Sequence, residues 1–278
     1  MSVRFNSHPG ATPAHRHLRR ITTHMGTSMR RLSSGLRIST AADDAAGLAI
    51  SERLRAQVRS FDQARRNAAD GVSMLNVAEG ALGTVSDLLI RMRELAVQAN
   101  SGFVSPTDRK TINTEYSSLV DEINRIGEST EFNGIGLLDG STNSIQLQVG
   151  IGTAAGVDTI TVENNRSLRS TLAVHNSKVT TTKNANKAIK RVDRALDRLN
   201  SMRGRFGSVQ NRLASTISNL SSQFEAASAA ESRIRDVDVA KETAELTKNR
   251  ILQAGSLSVI AQMNAQPEAL LQLLTPSR

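Results

Sequence analysis

The sequence predicts a mainly α fold: a long antiparallel helical bundle or coiled coil with a small β-hairpin insert, its termini paired as a coiled coil. Three observations carry this. Large aromatics are scarce, with one Tyr, six Phe and no Trp in 278 residues. Hydrophobic residues make up 38% of the chain, below the ~45–50% of an ordinary globular chain on a count that also includes Gly. A core built from such a chain must be aliphatic and Ala-rich. That suits helices packed side by side and argues against a sandwich or a pocketed α/β enzyme. The second observation is an apolar repeat in alternating steps of three and four at both ends of the chain. The third is its break in the middle, where Gly and Asn become frequent.

Each element follows from its local pattern. Leu18, Ile21, Met25, Leu32 and Leu36 form one stripe behind Pro9, Gly10 and Pro13. Leu75, Ala78, Leu82, Val85, Leu89 and Met92 form a heptad seam. Ser105-Pro106-Thr107-Asp108 announces another helix, with Ser as cap and Pro in the first turn. Its stripe is Ile112, Tyr116, Leu119, Ile123 and Ile126. The longest seam is Ile189, Val192, Leu196, Leu199, Phe206, Leu213, Ile217, Leu220 and Phe224, with Arg203 and Gln210 in the remaining a positions. A helix from about 186 to 232 would be on the order of 70 Å long. Between the helical halves, Ile145, Leu147, Val149 and Ile151 alternate with polar residues or Gly. Val157, Ile160 and Val162 follow a Gly-bounded turn, as in a β-hairpin. Residues 164–184 are polar and read as a loop. A last stripe, Leu252, Val259, Met263, Leu270 and Leu274, is interrupted by Gly255 and Pro267. Neither terminal stripe has a partner within its own segment, and isolated helices are marginal in water. Both are expected to be mobile alone and ordered on association.

Charge and composition exclude several functions. With no Cys, there is no disulfide, thiolate metal site or Cys nucleophile. No run of 18 apolar residues spans a membrane, and residues 1–30 lack the apolar core of a secretory signal. Net charge is +9, and seven Arg with no acid fall within residues 1–42. Phe5 is the only aromatic there, so the arm has no stacking platform and nucleic acid is not the expected partner. His15, His17 and His24 have no acid or Cys beside them and read as exposed polar residues, not a metal site. The His-Glu-x-x-His signature is missing, and Gly150-x-Gly152 lacks the rest of a phosphate loop. Asp43 and Asp44 stand before a helical run, which suggests capping at a helix N-terminus in place of catalysis. No catalytic residue, cofactor or metal is expected.

The residues also resemble bacterial flagellin, the subunit of the flagellar filament. Arg31-Leu32-Ser33-Ser34-Gly35-Leu36-Arg37-Ile38 and Asp43-Asp44-Ala45-Ala46-Gly47-Leu48 are similar to its N-terminal signature. Asn67-Ala68-Ala69-Asp70-Gly71, Arg93-Glu94-Leu95-Ala96, Glu131-Phe132-Asn133-Gly134 and Leu137-Leu138-Asp139-Gly140-Ser141 continue it. Leu246-Thr247-Lys248-Asn249-Arg250 through Gly255, and Leu270 to Leu274, are similar to its C-terminus. The stretch Ser7 to His17 departs from the uncharged, Asn-rich start usual in the family.

This resemblance implies a secreted, extracellular filament subunit for swimming motility, and no enzyme. It implies a terminal coiled-coil domain (1–42 with 241–278) lining an inner tube, and a bundle domain (43–126 with 181–240) to which the 127–180 insert belongs. Leu32, Leu36, Leu252, Val259, Met263, Leu270 and Leu274 are the expected subunit-packing residues. The bundle seam is Leu82, Leu89, Leu196, Leu199, Phe206, Leu213 and Leu220. The implied partners are copies of itself, the flagellar export apparatus and its chaperone, and hook-associated and cap proteins. The host flagellin-sensing Toll-like receptor would meet Arg91, Leu95 and Glu115. Two alternatives stand beside it: a hook-filament junction protein of the same architecture, and a basic coiled coil that binds nucleic acid or the cell envelope.

Overall fold

A computed structural model describes residues 11–142, 144–163 and 168–274. The side chains of 11, 264 and 266–274 lie outside that description. The elements, in order, are α1 (Ala11–Ser34), α2 (Ala45–Asn100), α3 (Pro106–Ser129), β1 (Glu131–Phe132), β2 (Ile135–Gly136), β3 (Ser144–Gln148), β4 (Thr159–Glu163), α4 (Leu168–Leu172), α5 (Thr182–Arg235) and α6 (Val239–Leu274). The described residues fall into two compact units, one spanning Gln57–Ala226 and one drawn from 1–56 with 227–278.

In the unit Gln57–Ala226, α2 and α5 run antiparallel. Three cross-links keep one register: Asn100 to Asn186 at 3.2 Å, Arg93 to Asp193 at 2.7 Å, and Gln210 to Asn76 at 3.0 Å. The seam Leu75, Ala78, Leu82, Val85, Leu89, Met92 is wholly buried. Ser105 caps α3 by accepting the Asp108 N–H at 3.1 Å and donates its hydroxyl to the Asp108 carboxylate at 2.7 Å. On α3, Val120 is buried and Leu119 only half-buried, so the stripe turns by one residue there.

The α5 seam needs a larger correction. Val192, Leu199, Phe206, Leu213 and Leu220 are buried as expected, but between them stand Ala188, Ala195 and Met202, with Ile189 and Leu196 displaced to half-buried flanks. Small side chains let the helix backbones approach closely, so the Ala line takes the interface. The bulkier neighbours pack on its edge. Arg203 therefore occupies no seam position. It pairs with Glu79 at 2.7 Å on the rim.

The insert is more ordered than a polar composition suggests. Asn133 (φ 51°) and Gly134 (φ 75°) form a left-handed turn that pairs β1 with β2. Strands β3 and β4 pair antiparallel, Ile145 opposite Val162 and Leu147 opposite Ile160. Ile151 and Val157 lie beyond the strands in the connecting turn and are exposed, contrary to the alternation. Residues 168–179 are not a solvated loop, because Leu168, Leu172, Val174 and Val179 are all buried. The Asn113 side chain holds them by accepting the Val179 N–H at 2.9 Å. Aliphatics spaced two to five apart carry no helix or strand period, so this segment read as loop.

In the other unit, α1 packs on α6. Gly35, at φ 71°, ends α1 in the left-handed region. The chain beyond it is tied back by Arg37 N–H to Arg235 O at 2.7 Å and Val237 N–H to Gly35 O at 3.0 Å. Helix α6 runs through both Gly255 and Pro267 without interruption. The two acids differ in role. Asp44 caps α2, accepting the Gly47 N–H at 2.9 Å. Asp43 instead closes the turn before it, accepting from the backbone and hydroxyl of both Ser39 and Thr40. Those donors, the Thr40 and Ser39 backbone amides above all, hold the Asp43 carboxyl at about 2 against an ordinary 3.8. Because the folded value is depressed, the turn keeps its stabilisation above the ordinary value and loses it as pH falls through about 2. An NMR titration of the Asp43 carboxyl should find a midpoint near 2, with amides 39–43 protected until then. A midpoint at 3.8 would contradict the turn.

Candidate assembly surfaces

The α1–α6 pair is antiparallel, with Arg31 near the end of α1 meeting Glu242 near the start of α6 at 3.7 Å. Ile21 and Ser28 of α1 are buried, and Leu18, Met25 and Leu32 are half-buried. On α6, Ile260 is buried, while Leu246, Asn249, Gln253, Ser256 and Met263 are partly covered in steps of three and four. Half of that inward line is polar. The larger aliphatics lie elsewhere on α6: Ile251, Leu252, Leu257 and Val259 are all exposed. A groove of about 470 Å³, lined by Ala14, His17, Ile251, Leu252, Gly255, Ser256 and Val259, takes in all of these but Leu257.

Of the expected packing residues, Leu32 and Leu36 are half-buried and Met263 likewise. Leu252 (41% exposed) and Val259 stay open. Leu270 and Leu274 have side chains outside the described residues. The expected seam residues Leu82, Leu89, Leu199, Phe206 and Leu213 share one core, Leu196 flanks it, and Leu220 is buried apart from it. Arg91 and Glu115 come together on the surface, the Arg91 guanidinium donating twice to one Glu115 oxygen at 2.8 and 3.0 Å and once to Glu94 at 3.0 Å. These carboxylates push the Arg91 guanidinium above its ordinary range. Leu95 does not join that surface. It is 1% exposed, because α3 and α5 flank this part of α2 on two sides, through Arg91–Glu115 and Arg93–Asp193.

In the sequence Asn67 and Gly71 stand out only as part of a motif, and the structure gives them a task. The Asn67 amide donates to Gln148 O at 3.0 Å. A Cβ on Gly71 would meet Leu147 Cδ1 at 2.5 Å and Leu213 Cδ1 at 3.4 Å. Both residues seat the hairpin on α2. An Asn four residues before a Gly inside a helix was the available signal.

Together, fold and surface define a structural subunit: a packed bundle carrying a terminal helix pair with uncovered apolar faces. Residues 5–143 match the bacterial flagellin N-terminal helical region, and residues 189–274 match the bacterial flagellin C-terminal helical region. The chain is 44% identical to a flagellin of Halalkalibacterium halodurans, over 95% of this chain and 97% of that one. It is 38% identical to the flagellar filament 33 kDa core protein of Treponema phagedenis, over 97% and 99%. A crystal structure of Bacillus cereus flagellin superposes with a TM-score of 0.51 at 33% identity, covering 56% of this chain and 88% of that one. The chain belongs to the bacterial flagellin family. It is a structural subunit of the flagellar filament.

Proposed function

We propose that the chain polymerises through its terminal helix pair, which forms the inner wall of the filament and is completed only by neighbouring copies. The exposed Ile251, Leu252, Leu257 and Val259, beside an open apolar groove, are the observation that supports this. Four aliphatics on one helix left in water are unfavourable by ~25 cal/mol per Å². A contact that buries them without closing a ring extends an open helical polymer. In this reading residues 1–42 and 241–278 act as the assembly domain and the remainder as the outer bundle. Subunits leave the cell through the flagellar export apparatus, escorted by a chaperone, and fold outside as they add to the filament. Hook-associated and cap proteins hold its ends. The exposed Arg91–Glu115 pair is the part of the surface offered to the host Toll-like receptor. Leu95 supports that surface from beneath and does not touch a partner.

The basic arm makes growth sensitive to salt. Arg30 lies 3.9 Å from Asp43 and Arg31 3.7 Å from Glu242. Arg16, Arg19 and Arg20 are exposed and take part in no ion pair among the described residues. Copies of α1 stacked in an array therefore repel one another. Screening shortens from ~30 Å at 0.01 M to ~8 Å at 0.15 M. Seeded growth of the purified chain, followed by electron microscopy across roughly 10 to 300 mM salt, is expected to accelerate with salt. Growth that slows would show the arm paired with acids of its neighbours. No growth at any salt would overturn polymerisation itself.

A further inference from the structure

Within the unit Gln57–Ala226, three arginines meet at one hollow. Arg191, Arg194 and Arg198 follow one another on α5 in steps of three and four, so they share a face of that helix. They line a hollow of about 310 Å³ whose other wall comes from the segment 172–176, His175 included. No acid among the described residues lines it. Each guanidinium is held by a backbone carbonyl. Arg191 donates to Asn176 O at 2.7 Å, Arg198 to Thr171 O at 2.7 Å, and Arg194 to Lys190 O at 3.1 Å. Of the two acids on this stretch of α5, Asp193 pairs with Arg93 at 2.7 Å, and Asp197 lies outside the lining of the hollow.

Tethering a loop does not account for this arrangement. A guanidinium carries five N–H donors, so one bond to a carbonyl leaves most of them free. Like charges three and four apart on a helix are unfavourable, and exposed Lys187, one turn before Arg191, adds to the same sign. The facing wall is strained as well. Ala173 sits at φ 53°, in the left-handed region that a Cβ disfavours. Among the described residues only Asn133 shares this without being Gly, and a tight turn between strands explains it there. Backbone held in such a state collects at ligand sites.

We propose that this hollow binds a phosphate or sulfate group, as the free ion or as an ester on a small molecule. A phosphate group offers strong acceptor oxygens and close to two negative charges, and the planar fork of Arg matches such oxygens in pairs. The carbonyl bonds place the guanidinia beforehand, so little ordering is left for binding. The volume lies at the lower end of small-molecule sites, and Leu172 gives the wall an apolar part. The inference stands on the Gln57–Ala226 unit alone and does not depend on how the chain polymerises.

The test is an NMR titration of the full chain as monomer with inorganic phosphate, at an ionic strength held constant with sodium chloride. The side-chain Nε–H signals of Arg191, Arg194 and Arg198 should shift together and saturate, while chloride alone leaves them in place. Equal response to phosphate and chloride would show screening only and overturn the site. Arg194 bonds nothing but its own helix, so Arg194→Gln should leave the melting of the monomer unchanged. It should raise the dissociation constant for phosphate about 10-fold or more, the worth of one charge-assisted hydrogen bond. An unchanged constant in that variant overturns the proposal. Glucose 6-phosphate, titrated in parallel, separates the two sources. Tighter binding than inorganic phosphate assigns the hollow to an ester-bearing molecule, and weaker binding assigns it to the free ion. Neither probe binding overturns it.

Discussion

Leu213→Asp is expected to unfold the Gln57–Ala226 unit at ordinary temperature. Leu213 is fully buried on α5, and a Cβ on Gly71 of α2 would lie 3.4 Å from its Cδ1. Truncating a core Leu costs about 2–5 kcal/mol, and a carboxyl left there without a partner adds about 1–3 kcal/mol or more even if it protonates. That sum approaches the ~5–15 kcal/mol that holds an ordinary domain together. Arg203→Leu is the informative contrast. Its guanidinium pairs with Glu79 on a partly exposed rim, and such pairs are worth about 0–1 kcal/mol. A small loss is expected, since Glu79 is left without its partner, and not the gain that a polar residue in a seam position would predict. Thermal melting of the monomer separates the two. Two large losses would place Arg203 in the core, and two small ones would place Leu213 outside it.

That contrast also marks how far the sequence alone could be read. Long heptads are legible because period alone fixes a buried face, and Leu75 through Met92 on α2 came out as read. The ambiguity on α5 arose because two lines of side chains compete one residue apart. Ranking by size favours Ile189 and Leu196, whereas close packing of helices favours Ala188 and Ala195. Ser105 was legible as a cap because its chemistry is local. Asp43 was not separable from Asp44, since the choice between turn and cap depends on where the backbone of Ser39 and Thr40 points. Leu168, Leu172, Val174 and Val179 were invisible because they join a core made by residues distant in the chain and follow no repeat of their own. Among the surface residues, Arg91 and Glu115 are 24 apart in the chain and only the fold shows them as an ion pair. Leu95 sits one turn from Arg91 in sequence but is buried in the core, a difference that only the packing shows.

Deleting residues 241–278 is expected to abolish filament growth while leaving the bundle folded. The deletion removes nearly all of α6, which begins at Val239. Helix α1 then loses the surface that covers Ile21 and the Glu242 partner of Arg31, and a lone amphipathic helix of 24 residues has little stability of its own. The interior of the Gln57–Ala226 unit draws none of its buried residues from the deleted segment. The loss is therefore one of association and not of the core fold. The most direct measurement is seeded elongation, scored by negative-stain microscopy, of the full chain beside the chain lacking 241–278, with the melting of each monomer recorded in parallel. Long filaments from the full chain, none from the truncated one, and a retained bundle transition in both are the expected results. Long filaments from the truncated chain would contradict assembly through the terminal helix pair.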